Sequence, residues 1–284
     1  DGVSYLTFPC YDDLDFVTNA FSTKKGGVST GEFSTMNLGF HRGDPEETVL
    51  ENYHRFCNAI GVSFEKLVAS AQDHHTVIRR VTSQNTGIGI WKERDLRSVD
   101  GLLTNEPGIV LVTYYADCTP LYFVDPVKKA IGLAHAGWRG TVLEMGRHMV
   151  QAMRTQFESD PEDLIVAIGP SIGQCCYEVD DPVVQAVEKL SYVPFTAVLI
   201  PKPNGRYQLN LWELNRQILM AAGVPEENIH VGGVCTRCHS DLLFSHRVMG
   251  AKRGGLAAML SIMEPLSSTH RITFHVLDRK STRQ

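Results

Sequence analysis

Short apolar runs, each bounded by glycine, proline or polar residues, recur along the whole chain. Residues 109–115, 130–134 and 164–168 are rich in aliphatic side chains, and residues 256–263 have the same character. Runs of this length and composition are typical of buried strands. The pattern therefore predicts a protein whose core consists mainly of buried strands.

Apolar residues spaced three or four apart lie between these runs and predict helices. The clearest helix covers residues 45–60, where Pro45 suits the first turn and two glutamates complement the positive end of the helix dipole. The same spacing predicts three further helices, at residues 141–157, 181–190 and 211–222. Strands interspersed with helices, without an internal repeat, indicate an α/β (α+β) fold.

The chain shows no linker and no change in composition before residue 264. Its 284 residues can bury one large core. We expect a single domain over residues 1–263. Residues 264–284, rich in Ser, Thr, Lys and Arg, are expected to be a C-terminal extension or a cloning remnant.

Composition and charge restrict the class of protein. The chain is 43% hydrophobic and 21% charged, with a formal net charge of −5, so it shows no basic surface for nucleic acid. No apolar run approaches the roughly 18 residues that a membrane-spanning helix requires. Seven cysteines without a visible signal peptide favour reduced thiols, and we expect a cytoplasmic protein.

Two chemically suitable side chains lie beside neighbouring apolar runs. Cys118 follows residues 109–115, and His135 lies seventeen positions further on, about the length of a strand, a turn and a return strand. Cys118 and His135 can therefore meet at one edge of a hairpin. Upstream, His74 and His75 are adjacent, so on an extended segment at most one of them faces a given site.

These residue types leave two kinds of chemistry open. Two imidazoles and a thiolate supply three of the four tetrahedral positions of zinc, leave one position open, and also suit copper. Without a metal, Cys118 and His135 can act as nucleophile and base. Asp117 would point away from Cys118 and orient a neighbour. Arg139 lies in a predicted strand-to-helix loop, where free N–H groups favour anions.

Four other cysteines occur as Cys175-Cys176 and Cys235-x-x-Cys238. A structural zinc site would need a second Cys-x-x-Cys pair at similar spacing, and the sequence has none. Redox motifs lie near the front of a βαβ unit, whereas Cys235 lies near the end of the chain. Adjacent cysteines rarely hold one ion. We therefore expect packed thiols at Cys175 and Cys176, and no structural zinc at Cys235 and Cys238.

Longer motifs resemble those of a known family. They lie at residues 23–29, 37–39, 72–74, 99–101, 116–120, 135–140, 169–170, 176–179, 235–236 and 244–247. The sequence HAGWRG at 135–140, together with ADC-x-P at 116–120, is highly specific. From about residue 21 to residue 262, the chain is similar to the laccase-domain proteins. Those proteins were first described as multicopper polyphenol oxidases and later as purine nucleoside phosphorylases with adenosine deaminase activity.

The resemblance implies a fold and a site. It implies a four-layer α-β-β-α sandwich with mixed sheets and a zinc site at His74, Cys118 and His135, with copper as the other ion, and it selects His74 over His75. The candidate catalytic residues are Cys118, His135, His74, Asp117 and Arg139. The candidate substrate- and phosphate-binding residues are Lys24, Asn37, Gly39 and Arg139.

The favoured function is phosphorolysis of adenosine, inosine, guanosine and methylthioadenosine, with adenosine deamination as an additional activity in which Asp117 would transfer protons. The expected partners are purine nucleosides and phosphate, without nucleic acid or membrane, in a monomer or small homo-oligomer. Lys24 stands where the family commonly has Arg, and residues 252–255 depart from the family's late cationic pattern, so the phosphate contacts are open.

Two other functions are kept as alternatives. A copper-dependent polyphenol oxidase would need roughly ten histidines in paired motifs, and the 11 histidines here include no His-x-His pair. A zinc-stabilised binding module is the non-enzymatic alternative. An open three-ligand site beside Trp138 and Arg139 argues against that alternative.

Overall fold

The structure is a computed structural model that describes residues 2–265. From residue 266 onward, the predicted C-terminal extension lies outside the described residues. In chain order the strands are β1 Tyr5–Leu6, β2 Val17–Ser22, β3 Leu67–Ala69, β4 Ile78–Arg80, β5 Gly101–Thr104, β6 Val110–Tyr115, β7 Thr119–Asp125, β8 Ala130–Ala136, β9 Ile165–Ile168, β10 Glu178–Val179, β11 Leu199–Pro201, β12 Tyr207–Leu209, β13 Ile229–Val231 and β14 Leu256–Ile262.

The helices that accompany these strands are mostly amphipathic. They are α1 Glu46–Ile60, α2 Trp138–Val142, α3 Met145–Phe157, α4 Asp181–Glu188, α5 Phe195–Val198, α6 Leu211–Ala221 and α7 His246–Met249. None of the helices between residues 2 and 265 is both long and apolar enough to cross a membrane.

The strands form two large mixed sheets and one small sheet. The five-stranded sheet has the order β1-β2-β14-β6-β3, with β3 parallel to β6 and β14 antiparallel to both its neighbours. The six-stranded sheet has the order β13-β9-β7-β8-β5-β4, in which β7 and β8 form the predicted hairpin. A three-stranded sheet, β10-β12-β11, packs with α4, α5 and α6.

The two large sheets pack face to face, and their side chains alternate between two cores because successive strand residues point to opposite faces. In β14, Leu256 and Ala258 lie in the core between the sheets, whereas Ala257 and Met259 lie in the core beneath α1. Every one of these positions is apolar because both faces of the strand are covered.

Helices cover the outer face of each large sheet. Val49 and Tyr53 of α1 pack on the five-stranded sheet, and Met149 and Met153 of α3 pack on the six-stranded sheet. The order of layers is therefore helix, sheet, sheet, helix. The predicted four-layer α-β-β-α sandwich with mixed sheets is confirmed.

Two buried tyrosine hydroxyls connect the sheets. Tyr122 of β7 donates to the carbonyl oxygen of Ala20 in β2 at 2.7 Å, and Tyr115 of β6 donates to that of Ala134 in β8 at 2.9 Å. Each hydroxyl is thereby satisfied inside an apolar core, where an unpaired hydroxyl would cost about 1–3 kcal/mol. These bonds fix the sheets relative to each other.

The helix predicted at residues 141–157 is divided. α2 ends at Val142 and α3 begins at Met145, because Glu144 adopts a left-handed conformation with φ 62°. The apolar residues on both sides keep helical spacing, so the sequence pattern shows one helix. α2 begins at Trp138, so Arg139 lies within its first turn, whereas the sequence predicts a loop at this position.

The glycine-rich segment between β2 and α1 is anchored by buried polar groups. Asn52 of α1 accepts the backbone N–H of Val28 at 2.8 Å and donates to the carbonyl oxygen of Asn37 at 2.8 Å. Asn37 and Leu38 have no exposed surface. This part of the segment belongs to the core, and its conformation supports one wall of the site described next.

Candidate metal centre and adjoining cavities

Two connections carry the chain from the five-stranded sheet to the six-stranded sheet. His74 lies between β3 and β4, and Cys118 lies between β6 and β7. His135, near the end of β8, pairs in register with Pro120, two positions after Cys118. One donor atom from each of His74, Cys118 and His135 lies within 4.8 Å of the other two. The prediction that Cys118 and His135 meet at one edge of a hairpin is confirmed.

Asp100, which has no exposed surface, supports this group from behind. Its Oδ2 lies 2.8 Å from His135 Nδ1, and its carboxylate accepts the backbone N–H groups of Asp73 at 2.9 Å and His74 at 3.1 Å. A carboxylate at Nδ1 leaves Nε2 of His135 as the nitrogen for a metal. One buried carboxylate therefore orients His135 and holds the backbone that carries His74.

The pKa values of the two imidazoles are shifted in opposite directions. Burial lowers the pKa of His135, but the Cys118 thiolate and the Asp100 carboxylate outweigh burial and raise this pKa to about 9. The pKa of His74 is lowered, because burial and the charge of His135 both disfavour a second proton. A single positive charge is thus stabilised among the donors. A metal cation at this position would replace the proton on His135.

Gly137, the residue before α2, gives the ligands room to come together. A methyl group built on Gly137 would lie 2.9 Å from Cys118 Sγ and 3.2 Å from His74 Nδ1. Non-bonded heavy atoms pack best at about 3.5–4.0 Å. The backbone here is ordinary for any residue, with φ −70°. Glycine is therefore required by the approach of two candidate ligands.

Two neighbours of the ligands point elsewhere. His75 is exposed, and its Nδ1 lies 3.0 Å from Asp73 Oδ1. Asp117 has a left-handed φ of 94°, and its carboxylate accepts the hydroxyl of Thr236 at 2.6 Å and the backbone N–H of Arg247 at 2.7 Å. Asp117 thus ties the connection that carries Cys118 to two later segments of the chain.

The first of two cavities beside the donors is lined by arginines, and we call it the arginine cavity. It encloses about 270 Å³, and the donors His74, Cys118 and His135 form part of its wall. The cations on its wall are Arg42, Arg94 and Arg253. Arg94 is an exposed side chain that lies on the cavity wall.

The second cavity, which we call the aromatic cavity, shares His74, Cys118 and Arg253 with the first and encloses about 340 Å³. Its apolar wall consists of Trp138, Ile172, Tyr177 and Leu211, its other arginines are Arg139 and Arg247, and His246 also lines it. The metal donors therefore lie where the two cavities meet, and each cavity has three arginines on its wall.

Arg253 carries a charge that the protein only partly compensates. Burial and repulsion by Arg42 lower the pKa of Arg253 to about 10, and burial also lowers the pKa of Arg42. Arg42 Nε donates to the carbonyl oxygen of Arg253 at 2.8 Å. Neither side chain forms an ion pair with a carboxylate of residues 2–265. An anion in the arginine cavity would relieve this charge.

The structure separates the two cations predicted to bind phosphate. Lys24 Nζ donates to the carbonyl oxygen of Ser240 at 3.1 Å, and Lys24 lines neither cavity. The structure therefore does not bring Lys24 to the site. Arg139 lies on the wall of the aromatic cavity, with its guanidinium 4.5 Å from the centre of the Trp138 ring.

Asn37 and Gly39 occupy different positions relative to the site. Asn37 is buried, and its Oδ1 accepts the backbone N–H groups of Gly39 at 2.9 Å and Gly255 at 2.8 Å. Gly39 and Gly255 themselves line the arginine cavity. Asn37 therefore joins the two backbone segments that form part of this wall.

Sequence reasoning assigned no role at the site to Asp100, Tyr177 or Arg253. Asp100 and Tyr177 belong to motifs on which the resemblance rests, so the motifs contained a signal for both. Arg253 lies in a segment that departs from the family pattern. Only the three-dimensional structure brings it beside Cys118.

A second group of donors lines neither cavity. Single sulfur atoms of Cys175, Cys176, Cys235 and Cys238 all lie within 4.8 Å of one another. Cys175 is exposed, so the expectation of a packed thiol is wrong for this residue, and Cys238 is exposed as well.

The chain is similar in sequence to one protein family and to several named proteins. The profile of a family described as multi-copper polyphenol oxidoreductase laccase matches residues 18–263. A Bacillus subtilis protein named purine nucleoside phosphorylase YlmD is 39% identical over 251 residues, which cover 87% of this chain and 89% of that protein. A human protein named purine nucleoside phosphorylase LACC1 is 34% identical over 257 residues, covering 88% of this chain and 56% of the human protein.

A solved structure has the same fold. The crystal structure of YlmD from Geobacillus stearothermophilus superposes with a TM-score of 0.85 at 38% identity, covering 93% of this chain and 97% of that one. On the family match, the relatives and the shared fold, the chain belongs to the multi-copper polyphenol oxidoreductase laccase family.

Proposed function

We propose that this chain is a zinc-dependent purine nucleoside phosphorylase. The names of the Bacillus and human relatives support the reaction. The observation that carries the proposal is that His74, Cys118 and Arg253 line both the arginine cavity and the aromatic cavity. A metal ligand set thus faces one compartment suited to an anion and another suited to a flat base.

The donor set of the centre fits zinc. His74, Cys118 and His135 supply two imidazoles and a thiolate, and the Asp100 carboxylate behind His135 is the support that catalytic zinc sites commonly have. A zinc ion held there would supply Lewis-acid polarisation of a phosphate or ribose oxygen. Copper binds the same donors. Metal analysis of the protein distinguishes the two ions.

The arginine cavity would bind phosphate. Arg42 and Arg253 lie there without carboxylate partners among the described residues, and guanidinium groups bind phosphate through paired N–H donors. Phosphorolysis requires a phosphate oxygen beside the anomeric carbon, so fixed donors would lower the barrier mainly by orientation. This assignment replaces Lys24 as the main phosphate cation and keeps Gly39 as part of the cavity wall.

The aromatic cavity would bind the purine. Trp138 and Tyr177 offer aromatic surfaces on its wall. Negative charge develops on the purine as its bond to the ribose breaks. Arg139 and Arg247 line the same cavity and would stabilise that charge.

Deamination of adenosine is proposed as a lesser activity of the same site. Zinc deaminases use a carboxylate as general acid and base. Among the described residues that line the two cavities, Asp117 is the sole carboxylate, and both its oxygens accept hydrogen bonds from the protein. We therefore favour a positioning role for Asp117 over proton transfer.

Phenol oxidation by several coppers is less well supported. Such chemistry needs further histidine clusters, whereas the two donor groups found within residues 2–265 are the His-Cys-His centre and the four cysteines. Four coppers per chain, measured by elemental analysis, would overturn this preference.

A direct assay tests the proposed function. Zinc-loaded protein is incubated with inosine, with and without phosphate, and hypoxanthine and ribose 1-phosphate are measured. We expect equal amounts of both products, only with phosphate, and loss of activity in Cys118→Ala. Arg55→Met is the control substitution and should remain active, because Arg55 is exposed on α1 and pairs with Glu51. No base release from adenosine, inosine or guanosine would contradict the proposal.

A further inference from the structure

The four thiols of Cys175, Cys176, Cys235 and Cys238 have the spacing of a metal site. Cys238 Sγ lies 3.6 Å from Cys175 Sγ and 3.5 Å from Cys176 Sγ, and all four sulfurs lie within 4.8 Å of one another. Four sulfurs at the zinc–sulfur distance of about 2.3 Å, at the corners of a tetrahedron, are about 3.8 Å apart. The thiols are therefore close to the arrangement that one tetrahedral ion would require.

The local backbone explains how adjacent cysteines can share one ion. Cys175 and Cys176 lie in a turn in which the Cys176 N–H donates to the carbonyl oxygen of Gly173 at 3.0 Å. The segment from Cys235 to Cys238 is a second turn. The bends direct both pairs of thiols to one point, which an extended chain would not do. The Gly173 N–H also donates to Cys235 Sγ at 3.2 Å, a bond that supports a thiolate ligand.

The surroundings suit a bound cation. Cys235 is buried, whereas Cys175 and Cys238 are exposed, so an ion can enter from solvent. Arg237 Nη1 lies 3.6 Å from Cys176 Sγ and would offset part of the excess negative charge of four thiolates. Sites of four sulfurs in tetrahedral geometry select zinc or iron over harder ions.

We propose that Cys175, Cys176, Cys235 and Cys238 hold a structural zinc ion, separate from the His-Cys-His centre. The partner of the Cys-x-x-Cys motif is an adjacent pair of cysteines about sixty positions earlier. The sequence alone disfavours a zinc site at these residues, because it contains no second motif of the same spacing.

The ion would hold one wall of the aromatic cavity without contacting substrate. The ion would join two turns. One of them leads directly into Tyr177 before β10, and the other contains Thr236 after β13. Thr236 in turn donates to Asp117, next to Cys118. The four-cysteine site goes beyond the proposed reaction, and its presence does not depend on the substrate.

Metal analysis under reducing conditions tests the proposal without an activity assay. We expect about two zinc ions per wild-type chain, and about one in both the Cys175→Ser/Cys238→Ser variant and the Cys118→Ala variant. Cys10→Ser is the matched control, because Cys10 belongs to neither donor group, and it should retain both ions. Cobalt added to metal-free Cys118→Ala should give the intense charge-transfer bands of a four-thiolate site.

Two results would overturn the proposal. One is a zinc content that is the same in the wild type and in the Cys175→Ser/Cys238→Ser variant. The other is a cobalt spectrum of reduced Cys118→Ala protein without four-thiolate bands, which remains decisive if the serine variant does not fold. The zinc content is measured independently of activity, so a variant that loses phosphorolysis still tests the four-cysteine site.

Discussion

Replacing Gly137 by alanine tests whether the metal centre depends on the open space before α2. The added methyl group would lie 2.9 Å from Cys118 Sγ and 3.2 Å from His74 Nδ1. These distances are shorter than ordinary packing contacts by roughly 0.3–1 Å. The backbone at Gly137, with φ −70° and ψ −174°, is accessible to alanine. The ligands themselves must therefore move.

The size of the effect follows from the zinc–sulfur bond. Moving Cys118 Sγ by about 0.5–1 Å is a large fraction of a bond of about 2.3 Å. Changes that misorient zinc ligands cost about 10–100-fold in metal affinity, which is about 1.4–2.7 kcal/mol. Alanine is somewhat worse than glycine at the start of a helix, so the metal-free protein should lose only about 1 kcal/mol or less of unfolding free energy.

Competition with a chromophoric zinc chelator measures the affinity, in a Cys175→Ser/Cys238→Ser background so that one ion titrates. Gly140→Ala is the matched control, since Gly140 lies inside α2 and its added methyl group would lie 3.5 Å from the carbonyl oxygen of His135 in β8, an ordinary van der Waals contact. Gly140→Ala should bind zinc as the parent does. Equal zinc affinities for Gly137→Ala and Gly140→Ala would refute the steric reasoning.

Four further predictions concern the same region. Asp100→Asn should lower zinc affinity about 10–100-fold and the free energy of unfolding in urea by about 1–3 kcal/mol; unchanged values would contradict the role of Asp100. Arg253→Met should raise KM for phosphate at least about tenfold, as expected for lost charge-assisted hydrogen bonds, and should raise KM for inosine less, while both KM values of the Arg55→Met control change little. Thr236→Val should lower unfolding free energy by about 1–3 kcal/mol, because an Asp117 oxygen loses its partner, with zinc affinity at the His-Cys-His centre retained. Removing all zinc with a chelator should abolish phosphorolysis and added zinc should restore it; activity in verified metal-free protein would count against a zinc enzyme.

Much of the fold is predictable because buried strands and amphipathic helices leave local patterns. The strand at residues 256–263 and the helix at 45–60 are confirmed within one residue at each end. The pairing of strands cannot be predicted in the same way. β14 is apolar on both faces, so its sequence does not indicate which sheet it joins. The break at Glu144 is not predictable from the sequence pattern, since a single left-handed residue leaves the apolar spacing intact.

The site is predictable only where its residues are close in sequence. Cys118 and His135 belong to one hairpin, so spacing alone brings them together, whereas His74 was assigned through the family resemblance. Asp100 and Arg253 reach the centre through long-range packing that no local pattern records. The four cysteines show the same limit, because each pair lies in its own turn and only the fold joins the turns.

The position of His74 and Cys118 on the two sheet-to-sheet connections has a consequence for folding order. Neither large sheet alone contains the complete ligand set, so a partly folded chain with only one sheet formed cannot bind the ion as the native protein does. Metal capture at this centre would therefore follow docking of the sheets. A substitution deep in the interface between the sheets, far from any ligand, would therefore lower the metal content of the protein before it reduced the secondary structure.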